Sequence, residues 1–317
     1  MKRTKWILCA AVLAAVTHNG AWGTVRDVVK ASEFGFNPTN ATACLQAAID
    51  SRAKTVVIDR QPSSWLVGPI AMRSGLDVVL ENGVVVEAVP DGFKGRADMM
   101  FNFRNVRRSS IRGLGRAVLK MRKSDYQDST RYAKSEWRNV VGMFNVRDVA
   151  VSNLVLAASG GDGIYISNGF GVSLDGLTVT DNHRQGLSLI SADGVTVRNC
   201  VFAMTDGCPP GAGIDFEPNE AREGLSNILI ENCAIYGNNG YGLDFHLDAL
   251  RSSSRPFSAV VRSAPKETLG LSKKLAAYPA ALARGLARPN TLVHASRRWL
   301  RIYNKWDGSI CVPRVLF

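Results

Sequence analysis

The chain has 317 residues, 46% of them hydrophobic, and a formal net charge of +12. Eleven Lys and Arg against only Glu267 and Asp307 sit in residues 262–317, and Lys2, Arg3 and Lys5 sit at the start, so residues 24–261 are neutral as a block. No basic stripe is left to follow a phosphate backbone, which argues against a nucleic-acid partner.

Residues 1–23 read as a secretory signal, with a basic start, an apolar run from Trp6 to Val16 and the small-x-small sequence Ala21-Trp22-Gly23. The run is shorter than the roughly 20 residues a membrane-spanning helix needs. The mature protein is therefore expected to be secreted or periplasmic, off the membrane and monomeric. Its cysteines are Cys44, Cys200, Cys208, Cys233 and Cys311, and none forms a C-x-x-C pair of the metal or redox type.

Residues 24–261 form the expected main domain. Phe34-Gly-Phe-Asn-Pro-Thr-Asn40 reads as a loop, and Ala41 to Ser51 as a short amphipathic helix with Leu45 and Ile49 on one face. Such a helix would cap an otherwise open stack of strands. Thr55–Ile58, Leu76–Leu80 and Val84–Val86 read as first strands. Met121 to Arg138 is a charged, aromatic-bearing insertion expected to fold over one face.

Then the chain repeats itself. Val149–Leu156, Val172–Val179, Val195–Phe202 and Ile228–Ile235 align without gaps, and each is followed by a glycine-led run: Gly163–Ile166, Gly186–Leu189, Gly213–Phe216 and Gly242–Phe245. The first runs recur after 23, 23 and 33 residues, the second after 23, 27 and 29. The extra residues fall in loops around 203–211 and 218–227. Alternation with a period of two means strands with one buried face. Two strands per repeat without a helix between them give an all-β, right-handed parallel β-helix wound from coils of about 23 residues.

Asn153, Asn199 and Asn232 hold one repeat position, with Gly176 in the remaining coil. These residue types accept a left-handed backbone, so a tight corner and an Asn ladder are expected there. One position on, Leu154, Leu177, Cys200 and Cys233 form an inward column. The two cysteines read as apolar filler, with a disulfide between neighbouring coils as the alternative.

After Val261 this grammar stops. Residues 262–317 read as a basic tail, irregular or helical (near 269–287 and 296–305), or else as a stretch translated out of frame.

Four segments carry a family resemblance: Ser135-Glu-Trp-Arg138, Ser159-Gly-Gly-Asp-Gly-Ile-Tyr-Ile166, Asp181-Asn-His-Arg-Gln-Gly186 and Gly213-Ile-Asp-Phe-Glu-Pro-Asn219. With them, residues 33–261 resemble bacterial exported right-handed β-helix proteins of the pectate-lyase-like fold. The resemblance implies an association with polysaccharides, as hydrolase, lyase, epimerase or non-catalytic binder. The paired-Asp motifs of polygalacturonases have no counterpart. Tyr241-Gly-Leu-Asp-Phe-His246 is similar to a motif of mannuronan C5-epimerases, with Phe245 in place of its proline.

Aligning the coils on their glycines stacks Tyr165, Ser188, Asp215 and Asp244 in one outward column, and Ser167, Ile190, Glu217 and His246 in the next. Coils lie about 4.8 Å apart, so Asp215, Glu217, Asp244 and His246 should share a patch bordered by Arg184. Clustered carboxylates raise one another's pKa, and glycoside hydrolysis needs one protonated and one ionised carboxyl. Asp215, Glu217 and Asp244 are thus the expected catalytic residues. Inversion is favoured, with Asp215 or Asp244 as base and Glu217 as acid, or the roles exchanged. Asp162, Tyr165, His183, Arg184, Gln185, Tyr241 and His246 are the expected substrate contacts. A lyase or epimerase would instead use Tyr241 or Tyr165 with His246 and Arg184. Hydrolysis requires no cofactor; calcium on Asp215, Glu217 and Asp244 is the alternative use of the same oxygens.

Overall fold

A computed structural model describes residues 26–247, 249, 257–262, 291–296, 299–304 and 310–311. The expected signal peptide and the helix expected over 269–287 lie outside the described residues.

One turn of the solenoid runs from Gly163 to Gly186. Ile164–Asp175 is a strand of 12 residues, bent where Asn168 and Gly171 take φ values of 60° and 62°. Gly176, at φ 63°, turns the corner into Thr178–Thr180, and Asp181, at φ 54°, starts the return. Each strand pairs in parallel with its equivalents one turn away. Ile164–Asp175 lies between Val141–Ser152 and Leu187–Arg198, and Thr178–Thr180 between Val155–Ala157 and Val201–Ala203. The aligned run Val149–Leu156 therefore straddles a corner; the runs after Gly163 and Gly186 start the long strands, and those after Gly213 and Gly242 are separate three-residue strands, Ile214–Phe216 and Leu243–Phe245.

The corner holds the expected residues. Asn153, Asn199 and Asn232 have φ of 53°, 53° and 52°. Asn232 Nδ2 donates to Asn199 Oδ1 at 2.6 Å, and Asn199 Nδ2 to Asp175 Oδ1 at 2.8 Å. A second ladder, unread in the sequence, lies at the other bend: Asn168 donates to Asn145 at 3.0 Å and Asn145 to Asn105 at 2.7 Å. It stops at the next coil, where a bulge pairs Ser167 with Ser191 instead of the expected Ile190.

Inside, Leu154, Leu177, Cys200 and Cys233 are all buried. Both thiols are free and donate to backbone carbonyls, Cys200 to Arg198 at 2.9 Å and Cys233 to Glu231 at 3.4 Å. Filler is what they are. Each aliphatic side chain closed into this core contributes about 1.5–3 kcal/mol of burial.

Helix Thr42–Asp50 buries Cys44, Leu45, Ala48 and Ile49 against the first coils. Its first turn is tied by Asn40 Oδ1, which accepts the Thr42 amide at 3.0 Å. Among the described residues no helix is long and apolar enough to cross a membrane.

The insertion does fold over the coils, and it is less polar in place than in sequence. Helix Lys123–Tyr126 leads into a T-shaped pair, Tyr126 and Tyr132, both buried, with ring centroids 5.2 Å apart. Arg138 is fully buried; its guanidinium lies over both rings and donates to the carbonyls of Phe93 and Ala133 at 2.8 and 2.9 Å. Gly160 and Gly161 permit this closure. A Cβ there would come within 2.5 Å of the Tyr126 ring and 2.4 Å of the Glu136 carbonyl.

At the far end, Phe257–Arg262 adds one more parallel strand. Thr291–Ser296, Trp299–Asn304 and Ile310–Cys311 then continue the sheet antiparallel. The helix expected near 296–305 is thus corrected to strands. Trp299-Leu-Arg-Ile-Tyr-Asn304 is rich in β-forming aromatic and β-branched residues, a bias that the basic composition obscured.

Candidate active site

The expected column is present in the strand register: Gly142, Tyr165, Ser188, Asp215 and Asp244 are successive Cα partners. Ile214 and Phe216 face the core, so alternation puts Asp215 on the outer face of its strand. That face is covered. Asp215 and Asp244 are 0% and 1% exposed, which corrects the solvated patch expected from the alignment. Strand alternation reports which face a residue takes; it is blind to a side chain from another turn lying over that face.

Three groups do the covering. Gln185, expected to reach sugar hydroxyls, is itself buried and has both ends of its amide engaged. Its Nε2 donates to Asp215 Oδ2 at 2.6 Å, and its Oε1 accepts the Ala212 amide at 2.9 Å. Arg184 is a hub rather than a border. Its Nη2 donates to both oxygens of Glu217, at 2.8 and 3.1 Å, Nη1 lies 3.6 Å from Asp162, and Nε lies 3.8 Å from Glu136. His246, with its side chain 51% exposed, sets Nε2 2.9 Å from Asp244 Oδ2. The other Asp244 oxygen accepts the Phe245 amide at 2.9 Å.

Burial has electrostatic consequences. The Asp215 carboxyl is pushed up to about 8, first by burial and then by Glu217 and Asp244. Asp162, which accepts the Ser188 hydroxyl at 2.9 Å, is pushed up to about 7 by burial, against the pull of Arg184. Burial opposes the Arg184 charge, but Asp162 and Glu217 overcome it and move that group up. Hydrogen bonding to Asp244 lifts His246 to about 9. Asp162 Oδ1 and Asp215 Oδ1 have no hydrogen-bond partner among the described residues. Asp215, Asp244 and His246 each offer a ligand atom within 4.8 Å of the others, so these three could hold a metal ion. Glu217, expected in a calcium set, is turned to Arg184 instead.

The remaining expected contacts are spread around this centre. Tyr165 stacks at 5.4 Å on Phe144, whose ring carries the Arg104 guanidinium at 4.3 Å. Burial pushes the Tyr165 phenol up to about 12. Tyr241 lies beside Asp244, and its carbonyl accepts the Gly213 amide at 2.8 Å. His183 is not brought into the carboxylate cluster: its Nδ1 is 3.2 Å from Gln127 Nε2, and burial lowers its pKa. It lines a separate cavity of about 340 Å³ with Arg96, Lys134, Ser135, Glu136, Trp137 and Cys208. Glu136, Trp137 and Cys208 were not among the expected site residues. The Glu136–Arg184 contact joins segments 48 positions apart, a distance that no repeat pattern encodes.

Residues 103–253 match a family model described as a right handed beta helix region. No curated relative matches the chain. Among solved structures, a protein of Parabacteroides merdae provisionally assigned as a glycosyl hydrolase aligns at 19% identity and a TM-score of 0.52. The alignment covers 65% of this chain and 94% of that one. A family 28 exopolygalacturonase of Yersinia enterocolitica aligns at 14% identity and a TM-score of 0.52, covering 77% of this chain and 58% of that enzyme. At these identities the likeness establishes the fold, a right-handed parallel β-helix of the pectate-lyase-like type.

Proposed function

We propose that this β-helix is a glycoside hydrolase acting on a polysaccharide, with Asp215 as general acid and Asp244 as the partner carboxylate. One observation carries the reading: a buried carboxyl held protonated at neutral pH stands within 4.8 Å of a second carboxylate on the adjacent coil. A carboxyl that keeps its proton beside a second carboxyl group is what glycosidic cleavage uses. Glu217 is assigned to orienting Arg184 and leaves the acid–base pair in which it was first expected. The short spacing suits retention better than inversion, which needs about 6.5–9.5 Å. Asp215 gives its proton to the glycosidic oxygen as the C–O bond breaks, and an Asp244 oxygen bonds to the anomeric carbon. A water deprotonated by Asp215 then displaces Asp244 and releases the sugar.

The lyase or epimerase alternative is less well supported. His246 is protonated at neutral pH by its bond to Asp244, and the Tyr165 phenol is pushed up to about 12, so neither is poised as a base. Non-catalytic glycan binding is the second reading, and the near-zero exposure of both aspartates favours it. Incubation with a panel of neutral and acidic polysaccharides separates the three. New reducing ends that keep the parent anomeric configuration, and vanish in Asp215→Asn, support the hydrolase. A near-ultraviolet chromophore would replace it with a lyase, and binding without either product would leave a binder.

A further inference from the structure

The cavity beside the carboxylate cluster is built mainly by three segments foreign to the repeat, with His183 from a regular coil. Arg96, Lys134, Ser135, Glu136 and Trp137 come from loops before the regular coils, and Cys208 from the lengthened loop after Ala203. Trp137 is 48% exposed although its neighbour Arg138 is fully buried, so the buried arginine anchors the segment that presents the indole. Arg96 and Lys134 form no ion pair with any described residue, whereas Lys94, Arg131 and Arg184 nearby do. The one carboxylate in the lining, Glu136, faces Arg184 at 3.8 Å and Cys208 Sγ at 3.7 Å, so it marks the wall shared with the catalytic cluster. His183, whose pKa burial lowers, adds a polar ring to the lining.

We propose that this cavity is a subsite for one anionic sugar residue of the substrate, its ring on the Trp137 indole and its carboxylate or sulfate between Arg96 and Lys134. An indole gives a sugar ring a rigid apolar face with little entropy to lose. Two unpaired cations on one rim favour an anionic substituent and disfavour a neutral ring. The volume, about 340 Å³, lies at the small end of ligand pockets, which fits one residue rather than a longer segment. The cavity adjoins the cluster through Glu136 and Arg184, so a sugar held there is next to the aspartates' neighbourhood. This inference rests on the glycan reading above.

Titration calorimetry with trigalacturonic acid, a sulfated galactose disaccharide and cellotriose tests it, on the parent chain and on Trp137→Ala, Trp137→Phe and Arg96→Gln/Lys134→Gln. The expected result is binding of one or both acidic sugars, weakened at least about tenfold by Trp137→Ala and by the double variant, and largely kept in Trp137→Phe. The uronate and sulfate arms tell the two anion sources apart. Equal affinity for cellotriose, or affinity for the acidic sugars within about twofold of the parent in the double variant, overturns the subsite. Asp215→Asn separates this from the hydrolase reading. Binding that depends on Trp137 but never yields cleavage defeats the hydrolase alone; cleavage that depends on Asp215 but ignores all three cavity residues defeats the subsite alone.

Discussion

Two lines of side chains run down the same solenoid, and they obey different rules. Along the corner, Asn153, Gly176, Asn199 and Asn232 share a left-handed backbone, the Asn side chains stay exposed, and those of Asn199 and Asn232 are bonded to the turn before. Along the outer column, Tyr165, Ser188, Asp215 and Asp244 share only their register, pass from Tyr through Ser to Asp and become sealed toward the Asp end. The corner repeats because a backbone conformation demands it. The column has no such demand, so its departures from uniformity are where chemistry can be lodged.

The contrast breaks most sharply if the two lines respond alike to substitution. Asp215→Asn should lower turnover by about 10²–10⁴-fold while leaving the fold intact, measured as release of reducing ends alongside a thermal melt. Turnover within a few-fold of the parent would make the column as structural as the corner. Asn199→Ala should do the opposite. It places a Cβ without local hydrogen bonding at φ 53° and removes two ladder bonds, costing about 1–2 kcal/mol in urea unfolding, with kcat unchanged. Asn199→Gly should recover much of that loss.

Acidity sharpens the comparison further. Asp215 holds its proton more tightly folded than unfolded, so its ionisation costs nothing below about pH 4, costs more as pH rises, and reaches its full effect above 8. His246 has a folded pKa of about 9 and stabilises fully below its unfolded value of 6.5, losing that contribution as pH rises through 9. Both terms have one sign, so Tm should fall between about pH 4 and about pH 9, and Asp215→Asn should flatten the fall. Turnover should also drop as pH rises through 8, when the acid is spent. The smallest expected effect is that of a chelator. EDTA should change turnover by less than about twofold if Asp215, Asp244 and His246 work as acid, nucleophile and ion-pair partner. A large loss restored by a divalent ion would reassign all three as ligands.

Much of the fold was legible because a β-helix writes its geometry locally. A period of two marks the strands, Asn or Gly marks the corner, and the glycine at the head of each glycine-led run marks the register that aligned Asp215 with Asp244. The Asn105–Asn145–Asn168 ladder was equally local, but its first interval spans the insertion, which hid the spacing. What stayed illegible depends on neighbours distant in sequence. Gln185 seals Asp215 from a preceding turn, Arg184 gathers three carboxylates from three segments, and Trp137 is displayed by an arginine whose partners are backbone carbonyls. Burial of an outward residue is a tertiary property, and the expected solvated patch was missed for that reason.

The corner ladder has a consequence for how such a protein can change. Each turn is indexed at its Asn or Gly and again at its glycine, so chain length between those marks is free to vary without moving the turns that follow. The loops around 203–211 and 218–227 already differ in length from their counterparts while the Ser188–Asp215–Asp244 register holds. Those loops behave as interchangeable cassettes on a ruled frame. Recognition can be rewritten by exchanging a cassette, at a distance from the marks that keep the reacting groups in line.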